Sequence, residues 1–183
     1  MIISAKEMCD NADNINIKQN LRNFGGGGLE VWKKMVIADE RLFNQLFQLI
    51  FSEDKRLAWR SCWIVDAASE EVPELIADKI PAIITGLTST KNSALKRHFT
   101  RILCRYKISE EYLGVVVNKC FELLVPSELA AVRVFAMQLL YNISHDLPDL
   151  KVELICMLEG LMEEGASAGF LNRSGKLLRQ LRS

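Results

Sequence analysis

The residues best suited to bind a charged partner are Arg97, Arg101 and Arg105, which recur at every fourth position. Residues four apart on an α-helix lie in one column on its surface. The three belong to the most basic stretch of the chain, 91–107, which has six lysines or arginines, including Lys96, and no acid. Such a column of guanidinium groups could bind phosphate or the carboxylates of an acidic protein.

The same column has a plainer interpretation. Charged helix faces are commonly solvated, and these arginines could form ion pairs with glutamates at neighbouring helix ends. The glutamates in question are Glu70, Glu71, Glu110 and Glu111. The sequence leaves both interpretations open.

Two tryptophans, Trp59 and Trp63, lie one helical turn apart in the preceding segment. Tryptophan has a large apolar area to bury, so the pair could pack against a neighbouring helix. If exposed, the two rings could instead stack on a nucleic-acid base or on a side chain of a partner protein.

Asp66 follows Trp63 by three positions and is the candidate for a catalytic carboxylate. Two later segments that align with this one have Leu103 and Leu139 at the same place, so an apolar environment is expected. A carboxylate there must find a donor or shift its pKa. Asp66 could therefore be structural, bound to an arginine or a helix N-terminus, or functional, in a cleft beside Trp63.

The cysteines and histidines do not indicate a metal site or a nucleophile. The two histidines are isolated, and the five cysteines include no C-x-x-C pair. We expect reduced, buried cysteines, no cofactor, no small-molecule ligand and a function other than catalysis. The cysteines are Cys9, Cys62, Cys104, Cys120 and Cys156.

The composition is that of an ordinary globular protein. The 183 residues are 49% apolar and 25% charged, and Lys plus Arg equals Asp plus Glu. No global charge attracts the chain to nucleic acid or to an anionic membrane. No stretch resembles a secretory signal or reaches the ~20 apolar residues of a membrane span. We predict a cytoplasmic protein with no membrane partner.

The chain divides after Gly28. Residues 1–28 are weakly patterned and end in Gly25–Gly28. Four glycines would cost about 1 kcal/mol each inside a helix, which predicts a loop. No strand precedes them and no G-K-[ST] follows, so they do not fit a phosphate-binding loop. We predict a loosely ordered N-terminal segment, 1–28, and a repeat domain, 29–183.

Helical patterns fill the second part and repeat. Arg60, Arg97 and Arg133 mark three copies, 37 and 36 residues apart. The helices that precede them align in the same register. Apolar residues at matching positions are Phe43, Leu46 and Ile50, then Ile80, Ile83 and Leu87, then Val117, Cys120 and Leu124. A two-helix unit repeating at this period predicts an all-α fold, an α-solenoid.

The turns between the paired helices resemble the HEAT repeat, which has an aspartate in this turn and valine-arginine at the start of the second helix. Asp54 keeps the aspartate and Val132-Arg133 keeps the dipeptide. Residues 167–170, which lead into the last helix, are also similar to bacterial HEAT-type proteins of unknown function. The resemblance implies a right-handed, armadillo-like solenoid of about four pairs, whose second helices line a concave surface.

The chain also resembles, more weakly, the HEAT-like DNA alkylation-repair glycosylases, which pair cleft tryptophans with an aspartate over a basic groove. Trp63 and Asp66 carry this likeness, although they are three residues apart and that family's pairing uses four. The first hypothesis is a non-catalytic scaffold whose concave face binds a protein. The binding residues would be Lys96, Arg97, Arg101, Arg105, Trp59 and Trp63. The alternative is a nucleic-acid binder related to these glycosylases.

Overall fold

The computed structural model of the protein describes residues 17–24, 28–163 and 167–183. These ranges contain helices and turns but no strand, as the repeat pattern predicts. The helices are α1 (17–23), α2 (Leu29–Ala38), α3 (Glu40–Leu49), α4 (Lys55–Glu71), α5 (Ile80–Ser89), α6 (Ser93–Leu103), α7 (Glu110–Glu122), α8 (Ala130–Ser144), α9 (Pro148–Glu163) and α10 (Ala168–Arg182). They fall into two compact units, Met1–Asp78 and Lys79–Ser183.

In the first unit α2, α3 and α4 pack against one another. Phe43 and Leu46 of α3 and Ile64 of α4 are fully buried. Asp54 begins α4 by accepting hydrogen bonds from the backbone N–H groups of Arg56 and Leu57 at 3.0 and 3.2 Å. The hydrogen bond from Leu57 contributes most to lowering the pKa of Asp54. The aspartate that carries the HEAT resemblance is thus a helix N-cap.

The segment before the glycines is partly structured. α1 places Leu21 in the core, and the Arg60 guanidinium donates hydrogen bonds to the carbonyl oxygens of Leu21 and Arg22. Residues 17–23 are therefore helical and packed through Leu21. Residues 1–16 lie outside the described residues, and the division into a loosely ordered segment, 1–28, and a repeat domain, 29–183, stays a prediction. Gly25–Gly27 lie outside them as well. At Gly28 an added Cβ would come within 2.9 Å of the Phe24 ring, so glycine allows this close approach.

The second unit consists of three successive helix pairs, α5/α6, α7/α8 and α9/α10. The second helices α6, α8 and α10 lie side by side, with α8 in the middle; we call these three helices the second-helix row. α8 also contacts α7 and α9. Its buried residues include Val132, Ala136, Met137 and Leu140, so this helix is covered on more than one side.

Two helix ends of the second unit depart from regular α-helical geometry. Val72–Leu75 does not open an α-helix: short 3₁₀ turns precede α5, and Pro81 lies in its first turn, where proline is tolerated. α6 ends at Leu103, within the basic stretch 91–107. The N–H groups of Arg105 and Tyr106 bond to carbonyls three residues back, which tightens and closes the last turn.

Candidate binding surface of the second helices

The predicted arginine column is shorter than expected. Arg97 and Arg101 lie on α6 and are half-buried. Arg105 is half-buried too, but it lies beyond the end of α6, so the three do not form one helical column. Nη2 of Arg97 is 3.0 Å from Nε2 of His98, a buried neighbour on the same helix.

Lys96 has a partner within the fold. Its ammonium group forms an ion pair with Glu128, which precedes α8. The side chains of Lys96 and Glu128 are only 14% and 15% exposed. The positive charge of Lys96 is therefore compensated between α6 and α8, and Lys96 contributes less to the surface charge than its position in the sequence suggests.

A chain of side-chain hydrogen bonds crosses the second-helix row. Arg173 of α10 donates to the amide oxygen of Gln138. Gln138 donates to Oδ1 of Asn142 at 2.6 Å, and Asn142 donates to the carbonyl oxygen of Cys104 at 2.9 Å. These contacts link α10 to α8 and α8 to the end of α6. The sequence signal for these contacts is the pair of amides Gln138 and Asn142, four residues apart on a mostly apolar helix.

Arg133, a register mark of the repeat, is buried. Its Nε donates a hydrogen bond of 2.9 Å to the carbonyl oxygen of Leu124, just past the end of α7. Its guanidinium carbon lies 3.8 Å from the centre of the Phe170 ring of α10. Arg133 therefore joins three helices and is part of the scaffold.

The tryptophan pair belongs to the first unit. The rings of Trp59 and Trp63 are stacked, with centroids 5.9 Å apart and an interplanar angle of 8°. Trp63 also meets the Phe24 ring edge-on at 5.6 Å. Both tryptophans are half-buried, so part of each ring faces the interior and part is open to solvent.

Asp66 is fully buried in α4, as are Leu103 and Leu139 at the aligned positions of α6 and α8. This confirms the predicted core position. Nearby, Ser69 Oγ donates to the backbone carbonyl oxygen of Asp66 at 3.0 Å.

Charge is segregated within the second unit. None of the three helices of the second-helix row contains an aspartate or glutamate. Most of the described acidic residues of the unit stand on the intervening first helices: Glu110, Glu111 and Glu122 on α7, and Asp149, Glu153, Glu159 and Glu163 on α9. Glu128 and Asp146 flank the two ends of α8, where they pair with Lys96 and Lys107. The exposed basic residues of α10 are Lys176, Arg179 and Arg182, of which Arg182 pairs with Glu159. The charged side chains on the three helices of the second-helix row are therefore all basic.

The cysteines differ in exposure. Cys62 and Cys120 are buried, and Cys104 is half-buried; Cys9 lies outside the described residues. Cys156 is exposed on α9, which corrects the expectation of burial for this residue. α9 buries its leucines on one side and leaves Val152 and Met157 exposed near Cys156. The second unit therefore covers only some of the apolar side chains of α9.

We expect thiol reagents to modify Cys156 far faster than Cys120. Burial, with a smaller contribution from Cys104, raises the pKa of the Cys120 thiol above its usual range, and the thiolate is the reactive form. Pulsed alkylation of the native protein, followed by peptide mapping, measures each cysteine separately. Equal rates for the two would contradict the structure, and equal rates after denaturation in urea are the control.

Among the described residues, no group of three histidine, cysteine or acidic side chains could hold a metal ion. None of the described helices is long and apolar enough to cross a lipid bilayer.

Successive helix pairs with a recurring register of buried residues define an α-solenoid. A family model of the HEAT repeat domain matches residues 29–181. The chain therefore belongs to the HEAT repeat family, as the turn residues Asp54 and Val132-Arg133 indicated. No curated protein and no solved structure gave a significant match.

Proposed function

We propose that this protein is a non-catalytic binding module whose second-helix row takes up a protein partner with an acidic surface. The observation that carries the proposal is the complete lack of acidic residues on α6, α8 and α10, beside half-buried Arg97 and Arg101. A positively charged surface attracts negatively charged partners and disfavours positively charged ones.

The composition of this row favours a protein over a nucleic acid. Phosphate-backbone binding depends on many exposed lysines and arginines. In this row, however, Lys96 forms an ion pair with Glu128, and Arg133 donates a hydrogen bond to the carbonyl oxygen of Leu124. Amides at Gln138 and Asn142 and a half-buried ring at Tyr141 complete a mixed polar and aromatic surface. Such mixtures are common in protein interfaces. The stacked Trp59–Trp63 pair would be a second contact region in its own unit.

The test compares two variants with the same change in charge. Arg97→Glu combined with Arg101→Glu reverses charge on α6, whereas Lys34→Glu combined with Lys55→Glu reverses two exposed lysines of the first unit. Each protein is incubated with extract of its own source cells, and crosslinked partners are quantified by mass spectrometry. We expect the α6 variant to lose a partner that both the natural protein and the control variant retain, with all three showing the same thermal unfolding.

Binding to a fluorescent duplex and a single-stranded oligonucleotide is measured in parallel as a function of salt. Affinity for either nucleic acid that falls steeply with salt and is lost in the α6 variant would replace the protein-binding proposal with a nucleic-acid one. A partner retained equally by all three proteins would overturn the assignment of the surface.

A further inference from the structure

Two helices outside the second-helix row leave apolar area uncovered. Among the described residues, α2 and α9 are the only helices with two large exposed apolar side chains: Val31 and Met35 on α2, and Val152 and Met157 on α9. On each helix the exposed residues recur at the helical period and form a stripe along one side. Single exposed apolar residues are common, whereas clustered ones mark surfaces that contact another molecule.

The repeat provides an internal comparison for α9. Val116 of α7 and Leu154 of α9 are buried at matching positions of successive first helices. Two positions earlier both helices are exposed, but α7 has Gly114 and α9 has Val152. The repeat therefore does not require an apolar residue at this exposed position, and the stripe on α9 points to a contact outside the unit.

A groove of about 290 Å³ lies beside the stripe of α2. Trp32, Met35 and Leu42 contribute apolar area to its lining. Its two charged lining residues, Asp39 and Arg41, are opposite in sign, and its other lining residues are uncharged. The groove therefore suits an uncharged apolar side chain.

The charges of the two stripes are opposite in sign. Lys34 is exposed on α2, whereas Lys33 forms ion pairs with Glu30 and Glu71 at 2.9 and 3.0 Å. On α9 the exposed charged residues are all acidic: Asp149, Glu153 and Glu163. Two α9 helices facing each other would oppose like charges, as would two α2 helices meeting at Lys34, whereas α2 facing α9 opposes unlike charges. The charges therefore select a contact between the two different helices.

We infer that α2 of one copy of this chain docks on α9 of a second copy. Lys34 and Met35 are consecutive residues, as are Val152 and Glu153, so on each helix the charged and the apolar side chain lie about 100° apart around the axis. In the docked pair Val152 enters the groove beside Met35, and Glu153 forms an ion pair with Lys34. Neither helix belongs to the second-helix row, so this contact is separate from the proposed function.

Sedimentation velocity of the full chain, from about 5 to about 500 µM, tests this self-association. A contact between two helices is smaller than a standard interface of about 1,600 Å², so the association is weak and needs the upper part of this range. We expect the weight-average sedimentation coefficient to rise with protein concentration. A reducing agent in the buffer prevents disulfides through the exposed Cys156.

Exchange of the two charges identifies the helices that meet. Lys34→Glu or Glu153→Lys should weaken association about tenfold, because each replaces an attraction with a repulsion, and the two together should restore it. The matched controls are Lys55→Glu and Glu111→Lys, the same changes at exposed positions outside both stripes, which should leave association unchanged. Val152→Ser should weaken it about fivefold through the loss of buried apolar area. Circular dichroism checks that every variant folds.

Three results would overturn the inference: a sedimentation coefficient that does not rise over this range, equal effects of the variants and their matched controls, or a double variant as weak as either single one. A protein that captures its partner through the second-helix row without self-associating would lose only the contact between α2 and α9.

The variants of the partner test separate the two surfaces in both directions. Arg97→Glu combined with Arg101→Glu should lose the partner and self-associate like the natural protein. Lys34→Glu combined with Lys55→Glu should retain the partner and lose self-association. Loss of self-association in the Arg97 and Arg101 variant would move the contact to the second-helix row and overturn its assignment to α2 and α9.

Discussion

Replacing Arg133 by methionine is expected to lower the free energy of unfolding by about 2–3 kcal/mol. Methionine keeps much of the side-chain volume but removes the hydrogen bond to the Leu124 carbonyl and the charge over the Phe170 ring. Leaving a buried acceptor unpaired costs about 1–3 kcal/mol, and a desolvated cation–π contact contributes up to about 2 kcal/mol. Urea denaturation followed by circular dichroism gives the change directly.

The matched control is Arg179→Met on the exposed face of α10. An exposed substitution of this kind usually changes stability by less than about 0.5 kcal/mol. If Arg133→Met were as mild as the control, Arg133 would not join α7, α8 and α10 as the structure describes. Arg133→Lys should remain destabilising, because an ammonium group cannot reproduce the flat guanidinium that both bonds to the carbonyl and covers the ring.

The second large effect is expected at the Lys96–Glu128 ion pair. Replacing Glu128 by leucine leaves the ammonium group of Lys96 mostly buried without its counter-charge. Breaking a buried pair from one side costs about 3–5 kcal/mol, and the residual exposure of both side chains places the expected loss near the lower end, about 3 kcal/mol. The measurement is again the midpoint and slope of urea unfolding.

Adding Lys96→Met to Glu128→Leu should recover most of that loss, since no buried charge then remains. The exposed pair Lys107–Asp146 supplies the comparison, because both side chains face solvent; Asp146→Asn there should cost less than about 1 kcal/mol. A double variant as unstable as Glu128→Leu alone would show that the cost lies in packing at these positions and not in the uncompensated charge.

The repeat could be predicted because its signal is local and recurrent. Apolar positions such as Leu46, Ile83 and Cys120 recur at the helical period, and all three are buried. The fold class needed nothing beyond this pattern and the turn residues. The end of α6 was harder to predict, because the bonds of Arg105 and Tyr106 to carbonyls three residues back depend on how the chain turns towards α7.

The properties of the candidate surface depend on contacts between residues that lie far apart in the sequence. The sequence alone does not specify which of these residues meet. Lys96 lies 32 positions from Glu128, and many acids lie closer along the chain. Arg60 and Arg133 are buried, whereas Arg97 at the same register position is half-buried beside His98. The three arginines share a register mark but not an environment, because Arg60 and Arg133 bind carbonyl oxygens of other segments whereas Arg97 lies beside His98 of its own helix.

The separation of acidic and basic helices in the second unit has a consequence for how fast a partner is captured. A chain with no net charge can still have a large permanent electric dipole moment when its acids and bases stand on different helices. The field of a dipole orients an approaching charged molecule so that it meets one pole first, and this orientation raises the rate of productive encounter. A net positive charge would instead attract all anions in solution. Added salt should then slow association while leaving dissociation almost unchanged.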